Sequence, residues 1–265
     1  MLICSLTDAP WQDADLRADF EARWGRENCI VWGESQQSEF APRTHTLSIR
    51  AVWGGRQYCH LDGRTVAVDD DTFLILNHGR VYGTSIRAAR PVESLAICFA
   101  PTLVEPMHTM TAVLESGEDC AQGSADFFEH LQPHDSNVSP ALRSIRDHLN
   151  QGSIDKSWLA EQLASLLRRM QAHRMQVLAR VERIPLARSA TRREAYRRIS
   201  LATDFLHTNY AQPVNLAMVA EACDFSKYHL LRLFKLVHGM TPQTFLNRKR
   251  AAASLRATSC RSQSA

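Results

Sequence analysis

No stretch of this 265-residue chain approaches the ~20 consecutive apolar residues that a membrane-crossing helix needs. The opening MLICSLTDAPWQDADLR has no basic segment ahead of a long apolar run, so no secretory leader is expected. Seven cysteines stand at positions 4, 29, 59, 98, 120, 223 and 260 without a single C-x-x-C pair. An odd, scattered set argues against a disulfide framework and against a cysteine-rich zinc site. The expectation is a reduced, cytoplasmic protein whose cysteines behave as small apolar side chains. Also missing are a G-x-S-x-G elbow, a P-loop and, between residues 1 and 130, any H-x-H pair. His45, His60 and His78 fall on three separate segments, where strand-end or surface histidines are the ordinary reading. Asp69, Asp70 and Asp71 read as a turn rather than a cation site. No catalytic residue, metal or cofactor is expected from these patterns, and the chain does not read as an enzyme.

What the chain does have is unevenly spread charge. Residues 1–179 carry 16 Lys and Arg against 23 Asp and Glu, whereas residues 180–265 carry 15 against 5. An acidic body joined to a basic final third suits a sensing or enzymatic region tethered to a module that binds a polyanion. The basic third is also rich in periodic apolar residues, so a folded nucleic-acid module is favoured over a disordered tail.

From Cys29 to Ala100 the periodicity is that of strands. THTLSIRAVWGG places Leu47, Ile49, Ala51 and Trp53 on one side, and ESLAICFAP keeps Leu95, Ile97 and Phe99 in phase. Asp62-Gly63 between two extended runs marks a tight hairpin that needs a positive φ. Several short strands at close spacing imply a small antiparallel barrel or sandwich. Residues 116–136 are polar and are expected to interrupt the helical part with loops. SPALRSIRDHLNQG reads as a helix, with Pro140 in its first turn and Gly152 as its stop. In the next helix Trp158, Leu159, Leu163, Leu166, Leu167 and Met170 share one face. That stripe fits a core helix and a dimerisation helix equally well. After Pro185 an arginine-dense segment leads to a helix expected to be capped by Thr191, with Glu194 in capping-box position.

The sharpest signal is PVNLAMVAEACDFSKYHLLRLFKLVHGMTP. Leu216, Val219, Ala220 and Cys223 form the buried side of a short helix. Asp224-Phe225-Ser226 makes the turn, and Leu230, Leu233, Phe234 and Val237 form the core face of a second helix that Gly239 ends. This is the spacing of a helix-turn-helix, whose second helix enters the DNA major groove. The face left over carries Lys227, Tyr228, Leu231, Arg232 and Lys235. Arg232 can fork onto guanine N7 and O6, and Tyr228 and Leu231 can meet a thymine methyl. Lys227, Lys235 and the Ser226 hydroxyl suit phosphates.

NLAMVAEACDFSKYHLLRLFKLVHGMTPQTFLNRKR resembles the AraC/XylS family of transcriptional regulators, through its L-x-x-V-A helix, serine-capped H-L-x-R-x-F-K helix and G-x-T-P-x-x-F-L-x-x-x-R run. The resemblance spans about residues 191–250. DGRTVAVDDDTFLILNHGRVYG is similar to the cupin-type sensor domain common in that family. The implied fold class is α+β: an N-terminal antiparallel β-barrel of cupin type over residues 1–115, a helical linker over 116–190 with a dimerising role, and an all-α DNA-binding domain over 191–265. In relatives the counterparts of Tyr228, Leu231 and Arg232 lie in the major groove. The family's DNA-binding domain holds two helix-turn-helix units, and only 15 residues follow Arg250, so the expected module is truncated after its first unit. The function implied is a DNA-binding transcriptional regulator governed by a small-molecule effector in the barrel. Trp32, Trp53, Tyr58 and Tyr82 are the candidate lining residues of that barrel. Expected partners are double-stranded DNA, an unidentified small-molecule effector, a second copy in a homodimer and RNA polymerase, with no membrane. Two alternatives stay open: a cupin-type small-molecule-binding or metal-dependent protein whose C-terminal helices serve assembly, and a truncated regulator without specific DNA binding.

Overall fold

The alternating runs between residues 29 and 98 fold as strands, held together by one of them. In the computed structural model, which describes residues 1–6, 14–105, 126–152 and 154–262, strand β7 (Val81–Cys98) is 18 residues long. Its neighbours are β2 (Cys29–Thr44), β3 (Ser48–Trp53) and β4 (Arg56–Leu61). All three pair with β7 antiparallel: β2 along most of its length, β3 through residues 93–98 and β4 through residues 83–85. Strand β5 (Arg64–Asp69) returns on β4 through the two-residue Asp62-Gly63 loop, where Gly63 has φ +69°. Strand β6 (Thr72–Leu76) lies beyond β3, β1 (Leu2–Ser5) runs parallel to β2, and β8 (Leu131–Pro133) closes the row on β6.

Two features of the expected barrel change. The β1–β2 pair makes the sheet mixed rather than wholly antiparallel. The order β1-β2-β7-β3-β6-β8 has two free ends, so among the described residues the hydrogen-bonded sheet does not close into a barrel. The α+β class stands. Within the stretch expected to loop between helices, residues 131–133 form β8 instead, because Leu131 pairs with Leu74 and is buried on the sheet's inner face. The rest of that polar stretch up to residue 125 lies outside the described part of the chain.

The alternation sorts side chains onto two buried faces. Ile49, Ala51, Phe73, Ile75, Leu95 and Ile97 face one way, and helices α2 (Ser139–Asn150) and α3 (Lys156–Glu182) cover them. Leu159, Leu163, Leu166, Leu167 and Met170 belong to the same cluster, so the apolar stripe of α3 is occupied by the chain's own sheet. Glu93 fastens α2 to β7 by accepting from Arg146 Nε at 2.8 Å and from Asn150 Nδ2 at 2.7 Å. Facing the other way, Val52, Cys59, Val66, Leu74, Tyr82 and Val92 form a second cluster. Helix α1 (Ala14–Arg23) contributes Phe20 to a third, beside Leu2, Cys29 and Cys98.

The chain divides into two compact units, Met1–Met175 and Gln176–Ala265. In the second, α4 (Ser189–Asn209) is followed by α5 (Leu216–Ala222), α6 (Lys227–His238) and α7 (Pro242–Ser262). Helix α4 is capped three residues earlier than the expected Thr191, by Arg188 and with no side-chain cap bond. Its entry is fixed by other means: Ser189 Oγ donates to Glu182, and Arg192 donates to the Leu186 carbonyl at 2.7 Å and to Glu182. Glu194 is drawn away from capping by Arg197 and Arg198. No helix among the described residues is long and apolar enough to cross a membrane.

Leu163 is fully buried between α3 and the sheet. Leu163→Ala should destabilise the first unit by about 2–5 kcal/mol through lost burial plus the cavity left behind, read as an earlier urea transition by near-UV circular dichroism.

Candidate nucleic-acid interface and interior cavity

Helix α6 is defined at both ends by its own sequence. Ser226 is its N-cap, with the hydroxyl accepting from His229 N at 3.3 Å. Gly239 ends it at φ +67° and donates its N–H to the Lys235 carbonyl at 2.8 Å. Leu230 and Phe234 point inward and are fully buried, with Leu233 and Val237 beside them. The cluster they join includes Ile199, Ala202 and Leu206 of α4 and Val219, Ala220 and Cys223 of α5 and its cap. Helix α5 has its own cap in Asn215, which accepts from Met218 N at 3.0 Å.

With the core face pinned, the opposite face is fixed as well. Tyr228 is 71% exposed and Leu231 39%, while Leu236 nearer the end of the helix is 44% exposed. Lys227, Arg232 and Lys235 are exposed beside them, and none is held by a carboxylate among the described residues. Helix α6 contains no acidic residue. The six residues singled out from sequence therefore lie exposed along the helix, with Ser226, Lys227 and Tyr228 beside its N-terminal amides and Lys235 in its last turn.

Arg198 has no counterpart in the sequence reading, although it sets the turn before this helix. It leaves α4, donates to Glu194 at 2.6 Å, to the Asp224 carbonyl at 2.8 Å and to the Asp224 carboxylate at 3.1 Å, and lies 5.4 Å from the Phe225 ring centroid. Asp224 is the one non-glycine residue with positive φ among those described, at 52°. Its left-handed backbone turns the chain sharply between α5 and α6, a conformation that aspartate tolerates better than most residues. Arg250 performs a similar task on α7, donating to the Tyr210 and Gln212 carbonyls at 2.7 Å each. A pattern of arginines cannot by itself separate such brackets from ligand contacts, because both need the same fork of donors.

The first unit holds a cavity of about 40 Å³ on the sheet face away from α2 and α3, with Phe20 of α1 in its lining. Of the four aromatic candidates Tyr82 lines it, fully buried and stacked on His45 with ring centroids 3.7 Å apart. Trp32 and Trp53 instead pack against the helix-covered face, where Arg146 sits 4.6 Å from the Trp53 centroid, and Tyr58 is half-buried on β4. The residue the alternation pattern hides is Arg50. It occupies what reads as the solvent side of β3, yet it is buried, donating from Nε to Tyr82 Oη at 3.3 Å and from Nη1 to Gln57 at 3.4 Å. His45 donates from Nε2 to the Tyr82 carbonyl at 3.2 Å, while its Nδ1 has no hydrogen-bond partner. Burial, reinforced by the Arg50 charge, pushes His45 down to about 3 and keeps it neutral. Burial also raises the Cys98 thiol to about 11.

The bulge in β2 that walls this cavity depends on Gly83. A side chain there would put its Cβ 2.7 Å from the Phe40 carbonyl oxygen, so glycine alone lets β2 and β7 close up at that register shift. Trp24 seals the neighbouring side, donating from Nε1 to the Thr44 carbonyl at 3.1 Å under the Arg43 guanidinium. His60 binds Ser85, and His78 lies in the turn before β7, so these histidines and His45 are not assembled at one site.

Residues 206–247 match the family model for bacterial regulatory helix-turn-helix proteins, AraC family. No curated protein matches the chain. Among solved structures, ToxT from Vibrio cholerae overlaps with a TM-score of 0.38 at 8% identity, over 83% of this chain and 98% of that one. The AraC-like transcriptional activator CuxR overlaps with a TM-score of 0.33 at 13% identity, over 86% of this chain and 77% of that one. Overlaps this loose carry no inference about ligand or partner.

His238 at the end of α6 gives the second unit a pH dependence. Its Nε2 donates to Thr203 Oγ1 at 2.9 Å, and burial, aided by the charge of Arg180, pushes it from its ordinary 6.5 down to about 4. The unfolded chain therefore takes up this proton before the folded one does. Its contribution to stability is complete above about pH 6.5 and is lost as pH falls toward about 4. His238→Gln should flatten that part of the stability–pH curve, measured by urea unfolding across the interval.

Proposed function

We propose, from the AraC-family helix-turn-helix at residues 206–247, that this protein is a DNA-binding transcriptional regulator in which α6 reads the major groove. One observation carries the reading. An N-capped helix, locked by its core face, presents Lys227, Tyr228, Leu231, Arg232 and Lys235 outward, with no acidic residue on it and, among the described residues, no carboxylate paired with its cations. Solubility alone does not call for an exposed tyrosine and leucine among three unpaired cations, whereas a groove lined by phosphates and thymine methyls does.

In this reading Arg232 takes a guanine edge and Tyr228 and Leu231 meet thymine methyls. Lys227, Lys235 and the Ser226 end of the helix hold phosphates. Arg198 positions the helix by bracing Asp224 and makes no base contact. The cavity around Arg50 is the effector site, and effector binding sets how two copies of α6 are spaced. Paired half-sites then lie about 10 base pairs apart or at a multiple of that. RNA polymerase is the partner through which a bound regulator would act on transcription.

The test is sequence selection from a random duplex pool with the full chain, followed by anisotropy titration on the selected site at several salt concentrations. Arg232→Ala should weaken the selected site by about 1–3 kcal/mol and relax preference at one base position. An equal loss on all sequences would instead make Arg232 a phosphate contact. Lys235→Ala should weaken binding uniformly and lower the salt slope by about 1. Failure of the pool to converge on any site would overturn the regulator reading.

A further inference from the structure

Three buried side chains and one carboxylate form a continuous hydrogen-bonded row between α3 and β8. His173 of α3 places Nδ1 2.8 Å from Asp135 Oδ2 and Nε2 3.1 Å from Gln132 Oε1. Gln132 of β8 places Nε2 2.9 Å from His130 Nε2, and His130 Nδ1 lies 2.9 Å from the Leu131 carbonyl. His130, Gln132 and His173 are 7%, 3% and 4% exposed, so the row satisfies its members from within.

The row meets an acceptor at each end. A carbonyl oxygen only accepts, so His130 Nδ1 carries a proton. Asp135 is ionised: burial opposes this, but the Val138 and Ser139 amides and His173 hold its carboxyl below the usual range. His173 Nδ1 therefore carries a proton too. Between the two rings stands an amide, which offers one donor end and one acceptor end. Whichever ring meets the amide oxygen has to donate from Nε2 as well. Two neutral imidazoles supply one proton fewer than the row needs. Exchanging the amide's oxygen and nitrogen only moves the shortfall from one ring to the other. With Gln132 Oε1 on the His173 side, the ring that donates from both nitrogens is His173, beside the carboxylate of the row.

The neighbouring groups do not take over this proton. His134 packs on Phe73, as His173 does, with ring centroids 5.9 and 5.5 Å from that of Phe73. Burial and the Arg143 charge hold His134 below the ordinary histidine range, against the pull of Asp71, Asp135 and Asp69. Arg169 and Arg174, the nearby cations on α3, are tied to the Asn137 and Asp126 carbonyls.

We propose that the folded protein stores one proton on His173, and that this proton latches α3 to β8 and to the loop before α2. The helix it fastens runs on to Glu182, beyond the end of the first unit at Met175. When the proton leaves, a lone pair of His173 faces either the Gln132 oxygen or the Asp135 carboxylate, and one tie on α3 turns repulsive. In the unfolded chain a histidine releases its proton near pH ~6.5. The latch is therefore complete below about pH 6.5, down to the acid range in which Asp135 is protonated, and is lost as pH rises through the point where the folded ring lets go. Alkali loosens the hold of the first unit on α3, whereas the His238 contribution is lost with acid.

Nitrogen-15 NMR of the full chain labelled at histidine reads the ring protons directly, with His130→Gln and His173→Gln assigning the signals. At about pH 7.5, where an ordinary histidine is mostly neutral, His173 should show two protonated ring nitrogens and His130 one, at Nδ1. Gln132→Glu makes both ends of the central group acceptors and should bring His130 to two protonated nitrogens as well. Amide exchange over residues 169–175, corrected for its intrinsic dependence on hydroxide, should accelerate as His173 loses its proton. The unfolding constant of the first unit in urea should rise with pH by up to about tenfold per pH unit more than in His173→Gln. A neutral His173 at about pH 7.5, the extra proton on His130, or α3 exchange indifferent to the state of His173 would each overturn the proposal. Should His173→Gln not fold, the titration of the unaltered chain and Gln132→Glu decide the matter. None of these results bears on DNA selection by α6.

Discussion

The first unit depends on β7 being sandwiched on both faces and along both edges. Its 18 residues pair with β2 on one edge and with β3 and β4 in succession on the other. Adjacent side chains therefore enter different cores: Leu95 and Ile97 meet the helices, while Ser94, Ala96 and Cys98 face the cavity. A one-residue slip of register would exchange the two sets, placing leucine and isoleucine in the cavity and serine against α3. The bulges in β2 and the absence of a side chain at Gly83 hold that register while letting the wall bend around the cavity.

The second unit uses charge where the first uses shape. Its basic surplus is divided between two kinds of work. Arg192, Arg198 and Arg250 are spent on carbonyls and carboxylates that fix where helices begin and turns fall. Lys227, Arg232 and Lys235, exposed on α6, have no such partners among the described residues. Arg198 joins the two groups, since the turn it braces at Asp224 decides where the outward face of α6 points.

Local signals in the sequence were readable to the extent that they act locally. Asp62-Gly63, Pro140, Gly152, Ser226 and Gly239 each impose a backbone geometry on their own neighbours, and each stands where its chemistry places it. The six residues of the candidate reading face follow from helical spacing alone. The Thr191 capping box failed because Glu194 had stronger partners in Arg197 and Arg198 one turn away. Arg50 was invisible for a different reason: a polar residue between Ile49 and Ala51 looks solvent-facing in any alternating strand. Only the curling of the sheet, which brings β2, β4 and β7 around it, turns that side into an interior. The parallel pairing of β1 and the open ends of the sheet are likewise long-range outcomes that no short window contains.

The buried thiols offer a way to watch each unit separately. Cys59 and Cys98 in the first unit and Cys223 in the second are almost fully enclosed, and burial raises each to about 11. At neutral pH the closed form presents almost no thiolate, so a maleimide or disulfide reagent reacts only after the surrounding core has parted. The rate at which each of these cysteines is modified then becomes an intrinsic clock for breathing of the region around it, and ligand or DNA would slow one clock or the other without any added label.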